Sequence, residues 1–236
     1  MIQSMDLELM EAICVGDVDF LKKAVASKPT DYFLTQYTPP EGSRKSLVEG
    51  NIFHLAVRSN QVEILREAMN LLPIELQHEL FLQKDGLGLN PLHRAASQSH
   101  EFVRIILDFY KAYSDQLLCS TSTNDNHPYR PWLALGTFPH KMPLNIAIQS
   151  KNEESAMEIL SMDMELFCGM VDNEGNSFLF LAVKDGLTQV AEKILMSSFV
   201  SSVSGKDYST PLHYAPNCSG LHLIRLLHYY YFFFLL

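Results

Sequence analysis

A short phrase that recurs along the chain constrains its fold more than any other feature. Asn90-Pro91-Leu92-His93-Arg94-Ala95-Ala96 and Thr210-Pro211-Leu212-His213-Tyr214-Ala215 are near copies of one another. Weaker copies stand at Phe53-His54-Leu55-Ala56-Val57, Leu144-Asn145-Ile146-Ala147-Ile148, Leu179-Phe180-Leu181-Ala182-Val183 and Leu9-Met10-Glu11-Ala12-Ile13. A supersecondary unit of this size cannot bury its apolar face alone, so a chain built from such units must stack them against one another.

Each copy is followed by a residue that tolerates a turn: Gly16, Asn60, Ser99, Lys151, Gly186 and Ser219. Beyond it lies a second apolar stripe, such as Phe20, Leu21, Ala24 and Val25, or Val103, Ile106, Leu107 and Tyr110. Spacings of three, four and seven residues share one face of a helix, so each unit is expected to be a helix, a tight turn and a second helix. Asn90, Ser177 and Thr210 are placed to cap the first helices, and Pro91 and Pro211 follow at a position whose missing N–H costs nothing. Gly16 and Gly186, with Asn60 next best, suit the left-handed residue that ends such a helix.

This pattern resembles the ankyrin repeat, whose hallmark is Thr-Pro-Leu-His-x-Ala-Ala followed by Gly-His and a Val/Leu stripe. The resemblance implies an all-α ankyrin repeat solenoid of about six helix-turn-helix units, near 5–26, 49–72, 86–111, 140–161, 175–197 and 208–228, with an apolar aromatic tail over 229–236 read as a shortened end. Asn145 and Phe180 stand where the family has His, Lys151 where it has Gly, Pro216 falls inside the sixth first helix, and Gly50 lies one residue nearer its helix than usual. The second, fourth and sixth units are therefore expected to be irregular or weakly formed. Motif positions 9, 53, 92, 144, 179 and 212 approach the usual period of about 33 residues only at the end. The excess lies in two inter-repeat insertions, Ala26–Val48 and Tyr113–Lys141. Those insertions, Asn173-Glu174-Gly175-Asn176-Ser177 and the Leu-rich second helices look like the plant ankyrin proteins of the accelerated-cell-death type, which carry their array ahead of a membrane-spanning domain.

Composition narrows the function classes. With 18 Lys+Arg against 27 Asp+Glu the net charge is −9, which argues against nucleic acid as a partner. Cys14, Cys119, Cys168 and Cys218 are far apart, without the pairing of a zinc site or a secreted disulfide framework. The N-terminus lacks a basic and then apolar leader, so the expected location is the cytoplasm or the cytoplasmic face of a membrane. The final run, Tyr229 to Leu236, is too short to span a bilayer, which takes about 20 apolar residues.

No catalytic, metal or cofactor site is legible. His54, His93 and His213 share one repeat position, where the family uses the ring to tie the turn, and groups a whole repeat apart do not converge on one atom. No nucleophile elbow, phosphate loop or dinucleotide fingerprint occurs; Asp85-Gly86-Leu87-Gly88 falls where a hairpin finger is expected. Asn217-Cys218-Ser219 fits a glycosylation sequon but sits in an expected interhelical turn, and Ser120–Thr123 reads as a loop open to phosphorylation. Binding remains, and in a solenoid it falls to the exposed residues of the first helices and fingers. The concave candidates are Arg58, Arg94, Gln98, Lys184 and Tyr214; the finger candidates are Lys84, Asp85, Asn173 and Glu174. The leading expectation is a non-enzymatic module for a protein partner, with no small-molecule substrate, serving defence or stress signalling if the plant resemblance extends to role. The alternative is the soluble ankyrin portion of a multi-span membrane protein, associated with the membrane through a missing C-terminal domain or the apolar tail and having transport or channel-like activity.

Overall fold

The computed structural model describes residues 4–37, 50–120, 130–133, 142–197, 205, 209–217, 224–225, 227–228 and 232, with the side chains of 117–120 left aside. Residues 38–48 of the first insertion, 121–129 and 134–141 of the second, Cys218 and most of the aromatic tail lie outside the described residues. The described residues hold helices and isolated bridges but no strand, and no helix among them is long and apolar enough to cross a membrane. The chain divides into two compact units, Met1–Pro139 and His140–Leu236.

In the first unit, α1 (Leu7–Val15) and α2 (Val18–Ser27), α3 (Ile52–Arg58) and α4 (Val62–Leu71), and α6 (Pro91–Gln98) and α7 (His100–Ser120) form three helix-turn-helix repeats. First helices stack on first helices, α1 on α3 and α3 on α6, and second helices do likewise, α2 on α4 and α4 on α7. Leu9, Ile13, Leu55, Leu65, Leu92, Phe102 and Ile106 line these interfaces, all but sealed from solvent. Each such side chain stabilises the fold by about 1.5–3 kcal/mol.

The second unit repeats the scheme with α8 (Pro143–Gln149) and α9 (Glu153–Met162), then α11 (Phe178–Asp185) and α12 (Thr188–Met196). Here α11 packs on α8, and α12 on α9. A sixth first helix, α13 (Pro211–Tyr214), lasts one turn before passing into a 3-10 turn at Ala215–Asn217, where Pro216 has no N–H to continue an α-helix. Its neighbour in the stack is α11.

The turn chemistry explains where the helices stop. Gly16 and Gly186 end α1 and α11 in the left-handed region at φ 85° and 81°, and Asn60 and Lys151 adopt φ 55° at the matching points. Ser99 differs: it stays extended at φ −150°, and α7 starts at the next residue. The second and fourth repeats each contain a complete helix pair. Lys151 simply accepts the left-handed backbone, at a cost of about 1–2 kcal/mol.

Two further helices sit between repeats. The spacing of the repeated motif does not foretell α5 (Ile74–Leu82) or α10 (Met164–Gly169). Buried Leu76, Leu80 and Phe81 hold α5 in place, and its Gln77 amide donates to the carbonyls of Met69 and Leu72, both at 2.7 Å, closing the open end of α4. Phe81 is an aromatic hub, with ring centroids 4.4 Å from Phe53 and 4.8 Å from Phe109. In α10, Phe167 meets Phe178 edge to face at 5.5 Å.

Two glycines with positive φ separate backbone preference from crowding. A Cβ on Gly50, at φ 136°, would lie 2.6 Å from the Cβ of His54, whereas one on Gly175, at φ 81°, would meet nothing within 4 Å. Gly50→Ala is expected to cost about 3 kcal/mol and Gly175→Ala about 1 kcal/mol, measured by urea unfolding. Equal losses would show that crowding against His54 is unimportant.

Candidate functional site

Every repeat must turn its chain sharply into the first helix, and one hydrogen bond recurs at that corner. The backbone N–H of Asn51, Asn90 and Thr210 donates to Nδ1 of the histidine three residues later, at 3.3, 3.3 and 3.0 Å. In the fourth repeat Asn145 takes over, its Oδ1 accepting from the Met142 N–H at 3.1 Å. The caps answer in the other direction: Oδ1 of Asn90 accepts from the His93 N–H at 3.1 Å, and Oγ of Ser177 from the Phe180 N–H at 3.1 Å.

His54 also reaches the next repeat. Its Nε2 lies 2.9 Å from the carbonyl of Leu89, which can only accept, so Nε2 carries the proton and Nδ1 is left as acceptor. Burial pushes this ring's pKa down to about 4, opposed by Asp85 and the Leu89 carbonyl and reinforced by Arg94 and Arg58. The ring is therefore neutral and structural at pH 7. Among the described residues no group of three His, Cys, Asp or Glu is placed to hold a metal. Cys168 is buried against Ser197, its thiol pushed up by burial and held back by that contact, which is the reverse of an activated nucleophile.

Two fingers among the described residues have one architecture. In Asp85–Leu89, Oδ1 of Asp85 accepts from the N–H of Leu87 at 2.9 Å and of Leu89 at 3.0 Å, while its backbone N–H donates to the Leu89 carbonyl and its carbonyl accepts from Gly88. In Asp172–Asn176, Oδ1 of Asp172 accepts from Glu174 at 2.8 Å and Asn176 at 2.9 Å, with the same two backbone bonds, to the Asn176 carbonyl and from Gly175. Gly88 and Gly175 both take positive φ. An Asp and a Gly three residues on thus fold each finger from within.

The candidate residues divide accordingly. Lys84, Gln98, Asn173, Glu174 and Lys184 are exposed. Asp85 is not: its side chain is sealed from solvent, and its Oδ2 takes both Nε of Arg94, at 2.7 Å, and Nη2. That pair fastens the finger to α6, so its two members serve the fold. Arg58, in the last turn of α3, is half-buried within electrostatic reach of Arg94 and Asp85. Lys184 and Tyr214 come together on buried Phe180, the Lys184 Nζ 5.8 Å from the ring centroid and the Tyr214 ring edge-on at 5.5 Å. Ser120–Thr123 and the sequon's Cys218 and Ser219 fall outside the described side chains.

This arrangement of paired helices, left-handed turns and hairpin fingers is the ankyrin repeat fold. No protein-family model matches the chain, and no curated protein does. Solved structures do: the human ASB11 ankyrin repeat domain is similar over 94% of this chain and 82% of its own, with a TM-score of 0.55 and 19% identity. A chain in the complex of the Bd0816 predatory endopeptidase of Bdellovibrio bacteriovorus with the immunity protein Bd3460 is similar over 96% of this chain and 99% of its own, with a TM-score of 0.55 and 14% identity.

Three outcomes follow from these bonds. The unfolded state binds the His54 proton from pH 6.5 and the folded state only near pH 4, so this ring's contribution is complete above pH 6.5 and falls away between those values. Denaturation at pH 7 and pH 5 should show that loss, and His54→Gln should lose less across the same interval. Arg94→Ala strands a buried carboxylate and should cost about 3 kcal/mol, against less than about 0.5 kcal/mol for Lys84→Ala. Finally, the Asn145 Nδ2 is buried without a partner, because an amide stops short of where the His54 ring ends. Asn145→His would bring a donor towards the Asn176 carbonyl, the counterpart of Leu89, and should raise stability by about 1 kcal/mol in thermal unfolding.

Proposed function

We propose that the chain is a non-enzymatic interaction module that binds another protein through the exposed residues of its first helices and finger tips. The observation that carries this reading is the internal closure of both fingers, with Leu87, Asn173 and Glu174 facing solvent on a rigid base. A rigid scaffold presenting variable exposed residues loses little conformational entropy on binding. Lys84, Gln98, Asn173, Glu174 and Lys184 are the contact candidates, with half-exposed Tyr214 as an aromatic anchor on its Phe180 support. The titratable groups support the same conclusion, since His54 and His93 are engaged in turns and Cys168 is buried and protonated. The complex of the Bd0816 endopeptidase with the immunity protein Bd3460 is a protein–protein assembly that contains a chain of this fold. A role in plant defence or stress signalling at the cytoplasmic face of a membrane rests on the likeness of the insertions and of Asn173–Ser177 to the accelerated-cell-death type.

Cross-linking mass spectrometry in cell extract tests the reading with a variant carrying Lys84→Ala, Glu174→Ala and Lys184→Ala, all three at exposed positions. Its melting temperature should stay within a few degrees of the wild type while the cross-linked partners are lost. An unchanged partner set would remove these positions from the interface.

A further inference from the structure

The second helices of neighbouring repeats are joined by charge. In the first unit Lys22 of α2 meets Glu67 of α4 at 3.4 Å, and Arg66 of α4 meets Glu101 of α7 at 2.9 Å. The joint between α9 and α12 in the second unit has a cation and no acid. Nζ of Lys193, in the last turn of α12, donates to Oγ of Ser161, in the last turn of α9, at 2.5 Å. The hydroxyl gives its own proton to the Met157 carbonyl at 2.6 Å, so its oxygen faces the ammonium as an acceptor. Lys193 is half-buried, and among the described residues it makes no ion pair. A partly desolvated ammonium resting on a neutral hydroxyl is a receptor for an anion attached at that oxygen.

We propose that Ser161 is a phosphorylation site whose phosphate is held by Lys193, so that the modification ties the fourth repeat to the fifth. Ser161 is exposed, and no residue from it to Leu166 is buried. The chain is extended at Asp163, φ −156°, where α9 gives way to α10, which opens the segment to a kinase. Glu158 precedes the serine by three residues, and Asp163 and Glu165 follow it by two and four, so the matching enzyme is an acid-directed serine kinase with a basic substrate groove. In the transfer, the Ser161 Oγ–P bond forms as the bond from the γ-phosphorus of ATP to ADP breaks, and the hydroxyl proton passes to the kinase's base. The product places about two negative charges where the joints of the first unit have one carboxylate. It also lies at the negative end of α9, one turn from Glu158, and both repel it. Lys193 therefore decides whether the phosphate fastens the joint or loosens it.

The test has two stages, both on the full chain. Incubation with ATP and a purified acid-directed serine kinase, followed by mass spectrometry beside Ser161→Ala, is expected to place phosphate on Ser161 of the folded protein; a Ser161 left unmodified would overturn the site. Phosphoserine is then encoded in place of Ser161 in the wild type and in Lys193→Met. By phosphorus NMR the second pKa of the phosphate, ordinarily about 6, should lie about half a unit lower with Lys193 present than without it. By hydrogen exchange the α12 amides should open about threefold more slowly with the phosphate than without it, in the wild type alone. Unphosphorylated Lys193→Met should exchange these amides within about twofold of the wild type, which separates loss of the clamp from loss of the fold. A phosphate whose titration and exchange do not respond to Lys193, or one that speeds exchange in the wild type, would overturn the tie. A much faster exchange in unphosphorylated Lys193→Met would also overturn it, by making the lysine structural.

Discussion

The fold depends on how a chain that has just run extended can begin a helix with its first N–H groups satisfied. One side chain, three residues into the helix, accepts the N–H of the capping residue, and the cap in turn accepts an N–H of the helix. Where that side chain is the His54 imidazole, its second nitrogen reaches the carbonyl at the base of the next finger. Corner and stacking are then one object: the group that shapes a repeat also sets its spacing from its neighbour. Asn145 can do the first of these and not the second, which is why the fourth repeat forms its helices and still has an orphaned amide in its interior.

The fingers apply the same logic to the outside of the molecule. Aspartate and glycine, three residues apart, write the whole hydrogen-bond pattern of each hairpin, and the aspartate at least does so from a sheltered position. Asp85 and Arg94 extend that interior role to a pair that looks, on charge alone, like surface. Recognition falls to the exposed positions around them, where an interface can change without disturbing the stack.

Much of this was legible in the chain. Among the described residues the repeated phrase located five helix pairs, the caps at Asn90 and Ser177 and the left-handed turns at Gly16, Asn60 and Gly186, because these follow from local backbone requirements. The short helices α5 and α10 were not legible: each belongs to a connection between repeats, and their apolar residues find a purpose only against a core that the neighbouring repeats create. The same applies to the candidate binding residues. Asp85 and Arg94 are far enough apart in sequence that only the folded finger brings them together. Lys184 and Tyr214 meet through Phe180, the position that departs from the family's histidine. The two insertions left a sequence signal in the uneven motif spacing, although part of the first and most of the second lie outside the described residues.

One contact in the second unit bears on how such an array comes apart. Glu153, in the first turn of α9, accepts the N–H of Gln189 at 2.7 Å and approaches that of Val190 at 3.4 Å, so the opening turn of α12 is capped by a side chain from the preceding repeat. A helix capped from outside cannot keep its end when the repeat that supplies the cap frays. Repeats joined by packing alone can peel one at a time from an end; repeats that share a cap lose their order in pairs. The cooperative element of the second unit is therefore larger than a single helix-turn-helix, and the carboxylate of Glu153 is one of the groups that makes it so.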